Sequence, residues 1–468
     1  MCKDNPASPT DEQVNAIAVA YDRTHLGDAK RLTLRFGDDV RYVPAQRSWF
    51  VWDDVRFRCD VDNILVERCA AKMVEAIKQE ASIMTDLEAQ YAHRRHAHRA
   101  QGRAHRTAVI RDARTDPQVR ANIEDFDPDP WLLNVANGVL DLRTGELQPH
   151  CRDLMMSQLA PVTFAPEATC PRWHQFLHET FDGHQGMIGY IQEVLGYAVT
   201  GSVTEQSIFV LIGEGGNGKT TMMNTLLTIL GDDYGLQAPS DLLVTRRGDT
   251  HPTGFADLEG RRAAVASEFN SGSSLDKAKV LVLSGGEKYR ARRMNQDYVS
   301  ITIAAKLFLV TNHLPKISEN DEAIRRRLRI IEFPTTPPER TRDPRLLDKL
   351  YAERSGILNW LAEGARRVHH DGRIHTPTQV LEASHRALRS LEPLEGFIEG
   401  RCEVDPSFEV PATELYHAYR DWHAAHGIEP RLTQQRFGRE LTGRGFAQRK
   451  SSTMKRVGLR LAPTASPA

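Results

Sequence analysis

A glycine-rich octapeptide restricts the folds open to this chain more than any other part of its sequence. Residues 213–220 read Gly-Glu-Gly-Gly-Asn-Gly-Lys-Thr, which matches the phosphate-binding pattern G-x-x-x-x-G-K-S/T at every position. An apolar run at residues 207–212 precedes the octapeptide, and a helix-like segment at residues 221–230 follows it. This strand–loop–helix order is the context that a P-loop requires, and it argues against a glycine-rich turn without a ligand.

The residue types in the octapeptide suit the binding of ATP with Mg²⁺. Glycines let backbone N–H groups turn towards phosphates, and the following helix directs the positive end of its dipole at them. Lys219 is expected to reach the β- and γ-phosphates, and Thr220 to bind Mg²⁺. The predicted nucleotide-binding residues are Gly213, Glu214, Gly215, Gly216, Asn217, Gly218, Lys219, Thr220 and Thr221.

The chain is long enough for several domains, since 468 residues exceed one ordinary core. Apolar strand-like runs alternate with helical stretches after residue 198, which is typical of an α/β fold. We predict a P-loop NTPase core of AAA+-like type between a mixed α+β N-terminal region and a C-terminal winged helix. The predicted segments are a small N-terminal domain with a His/Arg-rich linker, an accessory domain, the ATPase domain, a linker helix and the winged helix, at residues 1–106, 107–197, 198–369, 370–395 and 396–468.

The overall composition excludes few partners. The formal net charge is −1, so total charge indicates neither nucleic acid nor membrane. Six cysteines occur without C-x-x-C spacing, which predicts neither a zinc knuckle nor a redox pair and fits free thiols in a reducing compartment. With no signal sequence and no apolar stretch near the ~18 residues of a membrane span, we expect a cytoplasmic protein, in a bacterium or a phage-infected host, without a membrane partner.

Residues 93–106 read HRRHAHRAQGRAHR and hold four histidines. No carboxylate or cysteine accompanies the histidines in this segment, and the arginines would repel a cation. The segment therefore predicts a solvated helix face or linker rather than a metal site, with contact to a nucleic-acid backbone as the next alternative.

Two strand ends carry candidate catalytic residues. The short apolar strand at residues 262–266 is followed by Ser267 and Glu268, and the strand at residues 306–311 is followed by Asn312. We predict that Glu268 positions metal or water and that Asn312 bonds water or the γ-phosphate. Each feature alone would be ordinary, but their order after the P-loop favours both predictions together.

Four arginines stand within residues 325–329, ahead of an apolar strand. A cluster of this kind does not fit a core, and one use for it is an arginine finger that stabilises phosphoryl charge in a neighbouring subunit. The alternative is a solvated helix end held by salt bridges.

These motifs in succession resemble superfamily 3 helicases, most of all the phage, plasmid and poxvirus primase–helicase branch. The resemblance covers residues 130–335 and includes Leu-Ser-Gly-Gly-Glu at 283–287, Thr-Asn-His-Leu-Pro at 311–315 and Asp-Glu-Ala-Ile-Arg-Arg-Arg-Leu at 321–328. It implies an ATP-driven ring, usually a hexamer, that moves along single-stranded DNA. It also implies roles for six residues. Lys219 and Thr220 hold nucleotide and Mg²⁺, and Lys219 counts among the catalytic residues. Glu268 is the catalytic acid that also binds the metal, Asn312 is the sensor, and Arg326 and Arg327 form the finger.

The sequence departs from the family at two points. Arg325 stands where an aromatic residue is common, which leaves open which arginine reaches the next subunit. Glu268 is the one acid at its strand end, after Ser267, where many viral members carry two, and Asn270 could share the positioning of water.

Two basic segments are candidate DNA-binding elements. Residues 285–294 are typical of a projecting hairpin. In the resembled family this region points into the ring channel and contacts DNA. Lys288 and Arg290 are the first candidates for DNA binding, and Arg292 and Arg293 are the second. Residues 431–460 contain nine basic residues and a single acid, Glu440, in a helix–helix–hairpin order. A charged surface hairpin and a protein-docking module are the respective alternatives.

We therefore expect an ATP-dependent DNA helicase of superfamily 3 type that unwinds forked DNA during replication of a phage, plasmid or mobile element. One alternative is a replication initiator or loader without processive unwinding; another is a DNA-binding regulator with a non-catalytic nucleotide site. We expect no primer synthesis by this chain, because only about 100 residues precede the shared region. A separate primase or replication initiator would then be a partner.

Overall fold

The structure is a computed structural model of the chain. It describes residues 10–240, 242–243, 253–267, 275–286, 288–292, 298–312, 322–338, 340, 342–390, 393–425, 432–451 and 453–462. Four short 3₁₀ turns connect its elements, at Ala81–Ile83, Pro117–Val119, Ile123–Asp125 and Arg152–Leu154.

The N-terminal unit packs five helices around a small antiparallel sheet whose strands run in the order β1-β2-β3. The helices are α1 (Asp11–Ala18), α2 (His25–Phe36), α3 (Ile64–Glu80), α4 (Leu87–Ala100) and α5 (Arg103–Ala113). The strands are β1 (Val40–Val43), β2 (Ser48–Trp52) and β3 (Phe57–Asp60). Trp49, Leu32 and Met73 are fully buried in its core, so the aromatic side chain of Trp49 serves packing.

The prediction of a solvated face or linker at residues 93–106 is wrong for its central histidines. His93 and His96 lie on α4 and are 0% and 2% exposed. Their ring nitrogens contact carboxylates of α3 and α2, Glu80 and Asp28. The segment itself contains no carboxylate because its partners come from distant parts of the chain, while its arginines 94, 95 and 99 do face solvent.

A second unit leads into the central sheet. It contains a three-stranded antiparallel sheet of β4 (Leu132–Val135), β5 (Gly138–Asp141) and β6 (Glu146–Gln148), followed by α6 (Pro171–Thr180) and α7 (Gln185–Ala198). Gly138 and Gly145 stand at the two strand junctions of this meander. Cys151 is disulfide-bonded, which makes the expectation of free thiols wrong there, whereas Cys69, Cys170 and Cys402 are free.

The central sheet has five parallel strands in the order β13-β7-β12-β9-β8. The strands are β7 (Ile208–Ile212), β8 (Gly235–Ala238), β9 (Ala263–Ser267), β12 (Lys306–Thr311) and β13 (Leu328–Glu332). Alternate side chains enter two separate cores, with Phe209 and Phe308 on one face and Val210 and Leu309 on the other. Burial on both faces explains why these strands are continuous apolar runs.

Helices and one hairpin surround this sheet. The helices are α8 (Lys219–Tyr234), α9 (Thr253–Ala256), α10 (Lys277–Gly285), α11 (Glu322–Arg325), α12 (Leu346–Ala352), α13 (Arg354–Asp371) and α14 (Thr378–Ser390). An antiparallel hairpin of β10 (Lys288–Arg292) and β11 (Tyr298–Thr302) stands apart from the sheet. Helices α7 and α13 approach closely at Gly196 and Gly364, where a Cβ atom would lie 2.3 and 2.1 Å from backbone atoms of the facing helix.

The C-terminal unit combines three helices with a three-stranded antiparallel sheet in the order β14-β16-β15. Its elements are α15 (Pro393–Arg401), β14 (Cys402–Pro411), α16 (Ala412–Ala425), α17 (Gln434–Gly443), β15 (Gln448–Lys450) and β16 (Met454–Leu461). Phe397, Tyr419 and Phe437 form its core. The predicted helix–helix–hairpin order is present, and β14 is an additional strand that pairs with β16.

The structure is therefore of the mixed α/β class, with helices packed around a parallel sheet. Among the described residues, none of the helices has both the length and the apolar character needed to cross a bilayer.

Candidate nucleotide site

The glycine-rich loop at residues 213–220 connects the end of β7 to the start of α8, and β7 lies between β13 and β12 in the parallel sheet. Gly216 and Gly218 have positive φ angles of 79° and 91°, which favour glycine. A Cβ atom at Gly218 would also lie 2.9 Å from the Phe176 ring of α6. The glycines therefore determine the backbone conformation of the loop. Helix α6 packs against the loop through the Phe176 ring.

Lys219 begins α8 and is 4% exposed. Its Nζ donates to the backbone oxygens of Gly213 at 2.6 Å and Glu214 at 3.0 Å, and to Oδ1 of Asn217 at 2.8 Å. A longer hydrogen bond of 3.3 Å reaches Oδ1 of Asn312. Burial lowers the pKa of the Lys219 ammonium, while these oxygens hold it at the mouth of the loop.

Asn217 connects the loop to the sheet, a role that the motif alone did not reveal. The side chain is 3% exposed, and its Nδ2 donates to the backbone oxygen of Phe333 at 3.2 Å. Phe333 directly follows β13. One amide side chain therefore contacts both the loop lysine and the strand that follows the arginine cluster.

A cavity of about 1240 Å³ opens over the loop. Its lining includes the loop residues 215–221 together with Ser267 and Asn312 from the ends of β9 and β12. Because β7, β12 and β9 are parallel neighbours, their C-terminal ends lie at one edge of the sheet. The structure thus brings Lys219, Thr220 and Asn312 together, while Glu268 lies outside the described residues, as does Asn270.

Three further cations line the cavity that the sequence analysis did not single out, namely Arg172, Arg342 and Lys349. The Arg342 guanidinium lies directly over the loop, since a Cβ atom at Gly216 would be 2.7 Å from its Nη2 atom. Arg342 belongs to the segment after β13 that folds back towards the loop. Such a long-range contact has no local signal, so only the fold reveals this positive lining.

The two predicted finger arginines lie at the opposite edge of the sheet from the loop. Arg327 precedes β13, and its backbone oxygen accepts from Ile208, the first residue of β7. The Arg327 side chain is 7% exposed and donates to the Ala323 oxygen at 2.8 Å and to Gln206 Oε1 at 3.2 Å. Arg326 is exposed, so the two neighbours differ: Arg327 bonds within its own chain and Arg326 faces outwards.

The β10–β11 hairpin presents the predicted DNA-binding residues. Tyr289 packs edge-on against Phe255 with ring centroids 4.9 Å apart. Lys288, Arg290 and Arg292 lie within β10. Arg290 is exposed, and Arg293 lies outside the described residues.

Three family models match parts of the chain. One described as "D5 N terminal like" matches residues 29–182, a "Family of unknown function (DUF5906)" matches residues 211–327, and one described as "Poxvirus D5 protein-like" matches residues 390–460. Together they extend over the N-terminal unit, the central sheet and the C-terminal unit.

Relatives occur among proteins of large DNA viruses. The candidate helicase L207/L206 of Acanthamoeba polyphaga mimivirus is 26% identical over 342 residues, which cover 67% of this chain and 35% of that protein. The candidate primase C962R of African swine fever virus is 26% identical over 348 residues, which cover 68% of this chain and 36% of that protein. The chain therefore spans about a third of the length of these relatives.

A solved structure, the A-form apo structure of the NrS-1 C-terminal region, aligns with 90% of this chain and 96% of its own chain. The TM-score is 0.49 at 11% sequence identity, just short of the level that establishes a shared fold.

The fold defines a mixed α/β protein built around a parallel sheet. The two D5-type models and the viral relatives confirm the predicted resemblance to the phage and poxvirus primase–helicase branch.

Proposed function

We propose that this chain is an ATP-dependent DNA helicase of superfamily 3 type, a ring that translocates on single-stranded DNA and unwinds duplex during replication. The observation that carries the proposal is the distribution of charge around the central sheet. The glycine-rich loop, Lys219 and Asn312 share a large cavity at one edge of the sheet, and Arg326 is exposed at the other edge. A site shared between two subunits would need both parts: the nucleotide cavity of one copy and the exposed Arg326 of its neighbour.

ATP fits the cavity by the chemistry of its lining. Lys219 is positioned by backbone oxygens at hydrogen-bonding distance, and phosphate oxygens are stronger acceptors for an ammonium than neutral carbonyls. The N-terminus of α8 adds its dipole. Arg172, Arg342 and Lys349 supply further positive charge in the cavity, which favours a triphosphate over a neutral ligand.

Mg²⁺ is the cofactor that this proposal requires. Thr220 lines the cavity beside Lys219, and its hydroxyl is the donor that P-loop proteins offer to the ion. When bound, Mg²⁺ would neutralise phosphate charge, and Thr220 is the described residue that would hold it. The second predicted ligand, Glu268, follows Ser267 at the end of β9, outside the described residues.

The arginine finger would act between subunits. Arg326 is separated from its own glycine-rich loop by the length of β13, five residues or about 16 Å of extended strand. An arginine side chain is shorter than that distance, so Arg326 cannot serve the site of its own chain. Packing the exposed arginine edge of one copy against the cavity of the next forms a head-to-tail interface, which closes into a ring.

Single-stranded DNA is the proposed substrate of the β10–β11 hairpin. Lys288, Arg290 and Arg292 alternate along the sequence of β10, and Arg290 is exposed. Repetition of these cations around a ring would multiply phosphate contacts. A winged helix at the C-terminus would contact forked DNA through α17, where Arg436 and Arg439 are exposed. Arg456 has a structural role instead, since its Nη2 donates to the Gly438 oxygen at 2.6 Å.

Replacing the loop lysine tests the proposal. We expect Lys219→Ala to abolish ATP hydrolysis and unwinding of a forked duplex, because the ammonium that contacts the phosphates is lost. Lys78→Ala, at an exposed lysine of α3 paired with Glu75, is the matched control and should keep both activities. Unwinding by purified Lys219→Ala would contradict the proposal.

The same assays separate the rival functions. A replication initiator or loader would hydrolyse ATP without displacing a strand over long duplexes. A DNA-binding regulator would bind nucleotide and DNA with no hydrolysis at all.

A further inference from the structure

The N-terminal unit buries a cluster of histidines and carboxylates that the proposed helicase mechanism does not use. Asp28 comes from α2, His96 from α4 and His105 from α5. The Nε2 atoms of His96 and His105 lie 2.8 and 2.7 Å from the same oxygen, Oδ2 of Asp28. All three ligand-type atoms lie within 4.8 Å of one another, on three separate helices.

We propose that Asp28, His96 and His105 bind a Zn²⁺ ion in the N-terminal unit. Zinc takes imidazole nitrogen and carboxylate oxygen at bond lengths of about 2.0–2.2 Å, which places neighbouring ligand atoms of a tetrahedral site roughly 3.3 Å apart. The two Nε2–Oδ2 distances in the trio, 2.8 and 2.7 Å, are about half an ångström shorter than that. A small outward shift of the two imidazoles therefore makes room for the ion. Each Nε2 gives up its hydrogen bond to Asp28 and binds the metal, while the proton that it carried moves to Nδ1 of the same ring or to solvent.

The surroundings hold the carboxylate in a ligand orientation. Arg31 Nη1 lies 3.2 Å from Oδ1 of Asp28, so one oxygen is held by the guanidinium and Oδ2 is left for the ion. Arg31 Nε in turn donates to Oε2 of Glu80 at 2.9 Å. Arg31, Asp28 and Glu80 are all fully buried. Outer partners of this kind orient metal ligands and support affinity.

One side of the cluster opens to solvent. The His105 side chain is 14% exposed, and the exposed ring of His25 lies edge-on to it, with centroids 4.4 Å apart. His25 stands three residues before Asp28 on α2, which places both on one helix face. An ion can enter here, and His25 or water completes the fourth position that three protein ligands leave open.

The charges around the trio are already balanced without a metal ion, so we expect a bound Zn²⁺ to be removable from the folded protein. Asp28 and Glu80 are balanced by Arg31 and by Arg35, whose Nη2 lies 2.7 Å from Glu80. Metal-binding imidazoles are neutral, so the ion adds its own charge to a balanced cluster. We therefore expect chelators to remove the zinc from the folded protein and added Zn²⁺ to restore it, with a higher thermal midpoint because the ion links α2, α4 and α5.

Zinc titration of the full chain tests this site independently of helicase activity. After chelator treatment, wild type should take up one tight Zn²⁺ per chain, measured by competition with a chromogenic chelator. His105→Gln should weaken that binding by more than the roughly 10–100-fold that loss of an outer-shell partner costs. His98→Gln is the matched control, because His98 is exposed on α4 outside the trio, and it should bind like wild type.

Equal zinc affinity in wild type and His105→Gln, or no uptake by wild type, would overturn the proposal. A measurement on the unsubstituted protein covers the case in which His105→Gln misfolds. Zn²⁺ should protect His105 from carbethoxylation, read by peptide mass spectrometry, while His98 remains reactive. Equal labelling of His105 with and without Zn²⁺ would equally reject the site. Either failure leaves the proposed helicase function untouched.

Discussion

Four oxygen acceptors surround the ammonium of Lys219, and two of them come from asparagine side chains. Asn312 directly follows β12, and the Asn217 amide donates to the backbone oxygen of Phe333, which follows β13. Lys219 is therefore connected by hydrogen bonds to the ends of three neighbouring strands: to β7 and β12 directly, and to β13 through Asn217. At the scale of single residues, Asn217 is a positioning residue for Lys219, since its amide orients the cation and ties it to the strand behind the arginine cluster.

Removal of the Asn217 amide should weaken ATP binding with little effect on the fold. In Asn217→Ala, Lys219 keeps its carbonyl contacts and loses one charged hydrogen bond, so we expect about a tenfold higher Kd for ATP, measured by titration calorimetry. Asn224→Ala, at a position of α8 that does not line the cavity, should leave the Kd unchanged. An Asn217→Ala protein with wild-type affinity would show that the amide does not position the lysine.

At the scale of elements, contiguous signals were predictable and long-range ones were not. The strand, loop and helix around residues 207–230 lie in one uninterrupted stretch, so periodicity and the glycine pattern were sufficient to predict them. Asp28 lies 68 residues before His96, and Arg342 reaches Gly216 from beyond β13. Neither contact can be predicted from the sequence near these residues, because the partners are far apart along the chain. One available signal was overlooked: buried positions 93, 96, 97 and 100 of α4 follow the helical spacing of a core face.

The β10–β11 hairpin carries an element-scale prediction. Replacement of Lys288 and Arg290 by alanine should spare basal ATP hydrolysis, because the hairpin lies outside the cavity lining. Stimulation of hydrolysis by single-stranded DNA should disappear, since phosphate contacts supply most of such binding. A steady-state ATPase assay with and without a single-stranded oligonucleotide measures both quantities. Undiminished stimulation in the double variant would exclude the hairpin as the DNA-binding element.

For the whole molecule, the distribution of charged groups determines what an isolated copy can do. The cavity holds Lys219, Thr220 and Asn312, while exposed Arg326 lies beyond the far end of β13. Arg327 is engaged with Ala323 and Gln206 of its own chain, which favours Arg326 as the finger. A complete hydrolytic site then requires two copies in head-to-tail contact.

Mixing two inactive variants tests this shared site most directly. Lys219→Ala lacks a working nucleotide loop and Arg326→Ala lacks the finger, so each alone should show no hydrolysis. In rings formed from equal amounts of both, about a quarter of the interfaces pair an intact loop with an intact finger, as expected for random head-to-tail assembly. We predict that ATPase activity returns to that extent on mixing, and that a mixture of Lys219→Ala with the Lys219→Ala/Arg326→Ala double variant stays inactive. Arg326→Ala that hydrolyses ATP normally by itself, or a mixture without recovered activity, would contradict a site formed between subunits.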